Sequence, residues 1–355
     1  MFASPAPSAS QAAARRRAAY LAELAEGTDR FHAPRRDDCP WCGSTRLRTR
    51  LRAAPDLLQH KPGTFTVDEC RDCAHAFQNP RLTPAGLAFY TQDHQEPLPP
   101  PNGHRRHLAT ARAMLPFPEP ESWLDVGTGE ARFPAAAKEL FPYTAFDGVD
   151  PTTRIEKARE AGHLEEAYTG NLTNPHLTAR LRARYDVVSM LHHLARTPDP
   201  RAELRAALTA LRPGGHLLLE LPDPQSAFAR LLGRHWLPHT QPHHPHLIPL
   251  DNLRTELQSQ GCTVLTTDRR AAHTPYDLTV ALTLALSEAL PAPDAPWRAI
   301  PPTNTQRRLR KTLLRAAAPL LATTTTVDHA LAPALSRTRF SNAYRVIARK
   351  EHSAP

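Results

Sequence analysis

The segment SWLDVGTGEARF, residues 122–133, constrains the fold of this chain more than any other stretch. Trp123, Leu124 and Val126 read as a buried strand, and Gly127-Thr128-Gly129 breaks the run. Ala131, Phe133, Ala135 to Ala137 and Leu140 then suit a helix. A strand, a glycine turn and a helix make a nucleotide-binding loop, because glycine lets the backbone come close to a ligand. A triphosphate loop of the form G-x-x-x-x-G-K-[ST] is excluded, since no lysine is near. A dinucleotide fingerprint needs a third glycine where Arg132 stands.

What remains is D-x-G-x-G-x-A, from Asp125 to Ala131, and the following segments extend it. TAFDGVDPTTRIEKARE runs from a strand ending at Asp150 into a helix. An acid at that strand end is placed to accept hydrogen bonds from both ribose hydroxyls, and it can also cap the helix that starts at Pro151. YDVVSML is an apolar strand opened by an acid, and ALTALRPGGHLLLELP is a helix stopped by Arg-Pro-Gly-Gly before another strand. The spacing predicts strands near 122–126, 145–149, 165–169, 185–191 and 216–222. DNLRTELQSQG and CTVLTTDRR give the next helix and strand, and NAYRVIARK a last, antiparallel strand. The order is that of a doubly wound α/β unit.

Four of the five cysteines form two pairs, CPWCG (Cys39, Cys42) and CRDCA (Cys70, Cys73). Two C-x-x-C knuckles in a chain with no secretion signal read as one structural zinc site, because four thiolates complete tetrahedral zinc. Gly43 fits the turn after the first knuckle, and Ala74 takes the same place after the second. Such a small module cannot bury enough core without metal. Cys262, before TVLTT, reads as a buried strand residue.

Together these motifs resemble the class I S-adenosylmethionine (SAM) methyltransferases, and among them the bacterial small-molecule type with an N-terminal zinc ribbon. The pattern C-P-x-C-G, C-x-x-C, N-P-R is present as Cys39 to Cys42, Cys70 to Cys73 and Asn79-Pro80-Arg81. The resemblance implies an α/β fold: a doubly wound, mostly parallel, seven-stranded Rossmann-like sheet, a small zinc ribbon and a helical insert before the last strand. It implies SAM as cofactor and zinc as a structural ion. Asp125, Gly127 and Gly129 would pass beneath the methionyl group, Asp150 would hold the ribose, and Asn171 would stand where the family has an adenine-contacting Asp. Trp236 and His246, in the loop after the fifth strand, would line the acceptor site.

The chain departs from the family after the fourth strand, where Leu-Glu-His is replaced by Leu194-Ala195-Arg196. His192 and His193 sit just upstream and are the candidate bases; His193 is preferred, because adjacent residues at a strand end cannot both face the pocket. The histidines at 235, 239, 243, 244 and 246 raise a metal site, but they have no carboxylate partner and the loop is broken by prolines.

The expected organisation is a flexible tail over 1–36, the ribbon and a helix over 37–94, and a Pro-rich linker over 95–106. The SAM-binding domain follows over 107–272 with 341–350, interrupted by a helical insert over 273–340. The insert has helical patterns near 277–290 and 305–335; it is read as extra core covering the sheet, a lid shaping acceptor access, a dimer arm, or an interfacial helix in peripheral contact with a membrane. The formal charge is +9, yet lysine stands only at 61, 138, 157, 311 and 350 and no dense basic block occurs, which argues against a nucleic-acid partner. No signal peptide or membrane span is recognisable, so a cytoplasmic enzyme acting on a small molecule is expected. An RNA base methyltransferase and a SAM-binding protein without catalysis are the alternatives. Oligomeric state is left open.

Overall fold

Apolar runs and glycine turns sort the described residues into two sheets, one of four strands and one of seven. The computed structural model describes residues 9–93 and 103–352. The chain starts with α1 (Ala9–Leu24), so part of the expected flexible tail is helical, while residues 1–8 lie outside the described residues. Tyr20 ties this helix down, with ring centroids 5.8 Å from Phe89 and 5.4 Å from Trp297. Next come β1 (Leu47–Pro55), β2 (Thr64–Cys70) and β3 (Ala76–Gln78), an antiparallel meander, and α2 (Pro84–Thr91). The Thr83 side chain accepts from the Gly86 N–H to cap α2, with Pro84 at its first position.

Most of the expected linker, residues 95–102, lies outside the described residues; its end, 103–106, is not linker but the first turn of α3 (Gly103–Arg112). The alternating units follow: β4 (Ser122–Val126), α4 (Arg132–Ala137), β5 (Ala145–Asp150), α5 (Arg154–Glu160), β6 (Ala167–Thr169), α6 (Pro175–Arg180), β7 (Tyr185–Leu191), α7 (Pro200–Ala210) and β8 (Leu211–Pro222). Then come α8 (Ala227–Leu231), β9 (His246–Leu247), α9 (Leu250–Ser259), β10 (Cys262–Asp268), α10 (Asp277–Ala289), α11 (Asn304–Leu335) and β11 (Ala343–Lys350). The large sheet has the order β10-β11-β8-β7-β4-β5-β6, with β11 antiparallel to both neighbours and the rest parallel.

The pleat sends successive residues to opposite faces, and both faces are covered. Leu124, Val126, Val188, Leu219 and Val346 enter one apolar layer, while Trp123, Phe146, Val187, Leu218 and Ile347 enter the other. Burying each such side chain contributes about 1.5–3 kcal/mol. The strand order reverses between β4 and β7, so their C-terminal ends flank the crevice where this architecture takes its ligand.

The small sheet is not free-standing. β9 pairs antiparallel with β3, giving the order β1-β2-β3-β9. Arg201 of α7 stacks on Trp41 at 4.7 Å, and Asn252 donates to the Cys73 carbonyl at 2.9 Å.

Candidate active site and metal centre

The four thiols converge. The sulfurs of Cys39, Cys42, Cys70 and Cys73 all lie within 4.8 Å of one another, with Cys39–Cys73 at 3.7 Å and Cys42–Cys70 at 3.5 Å. Sulfurs tetrahedrally placed around zinc at 2.3 Å stand about 3.8 Å apart, so the set fits that ion. The two knuckles repeat one turn. Gly43 and Ala74 have φ of +76° and +57°, their N–H groups donate to the carbonyls of Cys39 and Cys70, and Trp41 and Asp72 donate N–H to the sulfurs at 3.4 Å. Ala74 thus takes the left-handed conformation that Gly43 takes more cheaply.

The glycine loop is wound at the end of β4. Gly127, Gly129 and Ala131 all have positive φ, +74°, +56° and +52°. The Gly129 N–H donates to Asp150 Oδ2 at 2.9 Å, which ties the loop to the end of β5. The other Asp150 oxygen accepts from the Thr152 N–H and hydroxyl at 2.8 and 2.5 Å. Asp150 thus closes a local turn, while Thr153 stands at the N-cap of α5. The Gly170 N–H donates to the Asp150 carbonyl, which puts Asn171, exposed, one residue further along the same edge. A Cβ on Gly129 would meet nothing within 4 Å, so the loop leaves open space there. Asp125 lies beneath the loop, 4% exposed, and accepts from the Ser189 hydroxyl at 2.6 Å; burial pushes its carboxyl up to about 6.

His193 closes the crevice from β7. A Cβ on Gly127 would strike its Nδ1 at 2.4 Å, so the imidazole lies directly on the glycine loop. Its Nε2 faces Glu203 Oε2 of α7 at 3.6 Å, with Glu203 only 4% exposed. His192, at φ +57°, turns the other way, and its Nε2 is bonded to Arg106 of α3. Burial and the neighbouring Arg106 hold His192 down at about 3, so it is neutral and its lone pair is used.

Arg106 belongs to a buried ionic cluster that sequence reading missed. Arg345 Nε donates to Glu220 Oε1 at 2.8 Å, Thr110 donates to the same oxygen at 2.9 Å, and Arg106 reaches Glu220 Oε2 at 3.4 Å. Glu220 and Arg345 are register partners across β8 and β11. The signal was there: an acid in LLLELP and a base in AYRVIA interrupt apolar strands, and such charges are buried only when paired.

Trp236 and His246 do not line an acceptor site. Trp236 is 0% exposed and donates its indole N–H to Asp277 at 2.9 Å, in a cluster with Val67, Ala76, Phe228 and Leu247. His246, on β9, stacks on His75 at 5.3 Å, with Nδ1 3.1 Å from His75 Nε2 and Nε2 3.2 Å from the Pro198 carbonyl. A carbonyl only accepts, so His246 donates from Nε2 and accepts from His75. Both residues join the ribbon to the large sheet. His235, His239 and His243 are likewise held, by Glu288, the Gly233 carbonyl and Asp56, and among the described residues only the four cysteines group as metal ligands.

Residues 103–267 match the sequence model of the methyltransferase-domain family. That stretch is a SAM-dependent methyltransferase domain. The chain's fold, a mostly parallel seven-stranded sheet with helices, is Rossmann-like. It is similar to a SAM-dependent methyltransferase from Archaeoglobus fulgidus, at 17% identity over 70% of this chain and 97% of that one, with a TM-score of 0.42. It is also similar to the YcgJ protein of Bacillus subtilis, at 15% identity over 70% of this chain and 100% of the other, with a TM-score of 0.43. No curated protein matches the sequence. No helix of this methyltransferase is long and apolar enough to cross a membrane, among the described residues.

Proposed function

We propose that this methyltransferase acts on a small-molecule acceptor that meets the cofactor at the C-terminal ends of β4 and β7, with His193 as base. The contact of His193 with Gly127 carries this reading, because it sets a titratable side chain against the loop that would run beneath the methionyl group. SAM supplies an electrophilic methyl group on sulfur. Gly127 and Gly129 would let the backbone pass under it, Asp150 would accept from the ribose hydroxyls with its remaining lone pairs, and Asn171 would accept from the adenine amine. Asp125 would lend negative charge to the ammonium group from below the loop. Glu203, behind His193, would favour the tautomer with its proton on Nε2, which leaves the Nδ1 lone pair on the loop side to take a proton from the acceptor. Cys39, Cys42, Cys70 and Cys73 would hold a structural zinc ion, closed to chemistry by four thiolates.

A small acceptor is favoured over RNA because the basic residues are dispersed and many are paired, for example Arg17 with Asp294, Arg46 with Asp72 and Arg212 with Asp186. The test is calorimetric titration of SAM, then methyl transfer from labelled SAM to small nucleophiles and to RNA. Asp150→Ala is expected to weaken SAM binding by about 1–3 kcal/mol, for loss of charge-assisted hydrogen bonds. His193→Asn is expected to abolish transfer with SAM affinity intact. Unchanged SAM affinity in the first variant, full transfer in the second, or salt-dependent labelling of RNA in place of small nucleophiles would each overturn the corresponding part.

A further inference from the structure

Six of the ten large apolar side chains left exposed among the described residues stand on α11. Five of them, Leu309, Leu313, Leu320, Val327 and Leu331, fall within about 40° of one another at 100° per residue, so they form one stripe. The helix is held in place beside it. Asp328, the one buried residue of α11, accepts from the N–H groups of Leu278 and Thr279 at 3.1 and 2.9 Å, roughly a quarter-turn from the stripe.

No polar group is left unpaired in the stripe. Thr323 stands at its edge, and the Thr323 hydroxyl donates to the Pro319 carbonyl at 2.9 Å, within the helix. Pro319 itself lies roughly 100° around the helix from the leucines. Beside Leu320 the stripe opens into an apolar groove of about 470 Å³ lined by Leu231, Leu278 and Leu282, and Leu231 of α8 is itself exposed. Contiguous apolar surface of this kind marks a binding face.

Charge selects what it binds. Residues 304–327 contain Arg307, Arg308, Arg310, Lys311 and Arg315 and no acid. Arg307 is paired with Asp294, and Arg310 donates to the Pro291 carbonyl. Arg308, Lys311 and Arg315 make no ion pair or hydrogen bond among the described residues, and they stand roughly 120–180° from the stripe. A protein resting on the stripe would not reach them, and a second copy would bring more cations instead of anions. A lipid layer meets both sides at once. An interfacial helix sinks its apolar side about 5–10 Å into the boundary of headgroups and acyl chains. With a diameter of about 10–12 Å, its upper side stays within one Debye length, about 8–10 Å, of the phosphates. Cations opposite a leucine stripe are the arrangement of such a helix.

We infer that α11 lies in the surface of an anionic membrane, with the stripe from Leu309 to Leu331 at the acyl chains and Arg308, Lys311 and Arg315 among the headgroups. The contact is peripheral, because α11 is not apolar enough to cross.

The full chain should cosediment with vesicles of phosphatidylcholine containing phosphatidylserine, and about 100-fold less with phosphatidylcholine alone, the share of three cations near an anionic surface. Salt at about 0.5 M should erase that difference, because the Debye length falls to about 4 Å. Arg308→Gln with Lys311→Gln and Arg315→Gln should bind the two kinds of vesicle alike. Leu313→Ser with Leu320→Ser should weaken binding to either at least about 30-fold. All five residues are exposed, so circular dichroism and thermal unfolding of both variants should match the parent. No cosedimentation with the anionic vesicles overturns the inference. Binding that persists in the Leu313→Ser, Leu320→Ser variant does so too, and would put the contact on another surface. Equal binding of the parent to both kinds of vesicle overturns the role of the cations. A chain that ignores vesicles but dimerises in sedimentation equilibrium, with the dimer lost in the same leucine variant, would give the stripe to a second copy.

Discussion

The glycine loop of residues 125–131 and the histidine-rich loop of residues 235–246 are both dense in chemistry-bearing side chains, and they use them oppositely. In the first, backbone and side-chain groups tie the loop to neighbouring strand ends and leave its outer side open, as at Gly129. In the second, each polar side chain is spent on protein: Trp236 on Asp277, His243 on Asp56, His246 on His75. The glycine loop presents a surface, and the histidine loop fastens the ribbon to the large sheet. Polar groups in a crowded loop are therefore no sign of a ligand until their partners are known.

The largest test removes the fastening at its far end. Zinc binding by four thiolates contributes folding free energy on the order of 10 kcal/mol to a module that has little core of its own. Cys70→Ser, or chelation at neutral pH, is expected to unfold residues 37–80 and expose β9. Limited proteolysis should then cut within β1–β3 and in the histidine loop, while SAM affinity changes less than about fivefold, or roughly 1 kcal/mol. Protection of the histidine loop after ribbon loss would show that it stands without the fastening.

A second test uses acid–base behaviour at Asp277, which accepts from Trp236 and from Asn342 Nδ2 at 2.9 and 2.5 Å. Burial pushes its carboxyl up to about 7. The unfolded chain would lose this proton near pH 4, so between roughly pH 4 and 7 the folded state binds more protons and stability falls as pH rises. The loss should reach roughly 2–4 kcal/mol above pH 8. Asp277→Asn should flatten this slope in urea denaturation curves. An unchanged slope would mean that Asp277 ionises freely in the fold.

Most of the sheet was legible from sequence because its signals are local. Strand, glycine turn and helix follow one another within 122–137, and the acid that completes the loop lies 21 positions on. The cysteine knuckles are also local, and the helices over 277–289 and 304–335 follow from their own periodicity. What was illegible depends on distant partners. Arg106, taken for linker, finds Glu220 and His192, 114 and 86 positions away. His246 and Trp236 were read as ligand-facing because aromatic and imidazole groups suit binding sites. The same groups suit a buried seam, and only the pairing of β3 with β9 tells which one this is.

Within the glycine loop itself the two glycines should differ. Gly127→Ala meets both a positive φ and the His193 ring, and should cost about 1–3 kcal/mol while displacing the imidazole from the crevice. Gly129→Ala meets a positive φ but open space, and should cost only about 1 kcal/mol in stability. Thermal unfolding of both variants measures the gap. Equal costs would mean that His193 yields without strain.

The smallest effect is the most direct test of the seam reading. Trp236→Phe keeps an aromatic ring in the cluster with Phe228 and Leu247 but removes the donor to Asp277. The loss should be about 1 kcal/mol, one buried hydrogen bond, and it should grow above pH 7 as the carboxylate becomes harder to satisfy. At pH 5, where Asp277 is protonated in the fold, the variant should come closer to the parent. SAM affinity and the Michaelis constant for the acceptor should both stay within about twofold, or under roughly 0.5 kcal/mol, because the ring does not reach the crevice. An acceptor in contact with Trp236 would behave otherwise: its Michaelis constant would rise while the urea curve stayed put. That pattern would return the histidine loop to the binding site and end its contrast with the glycine loop.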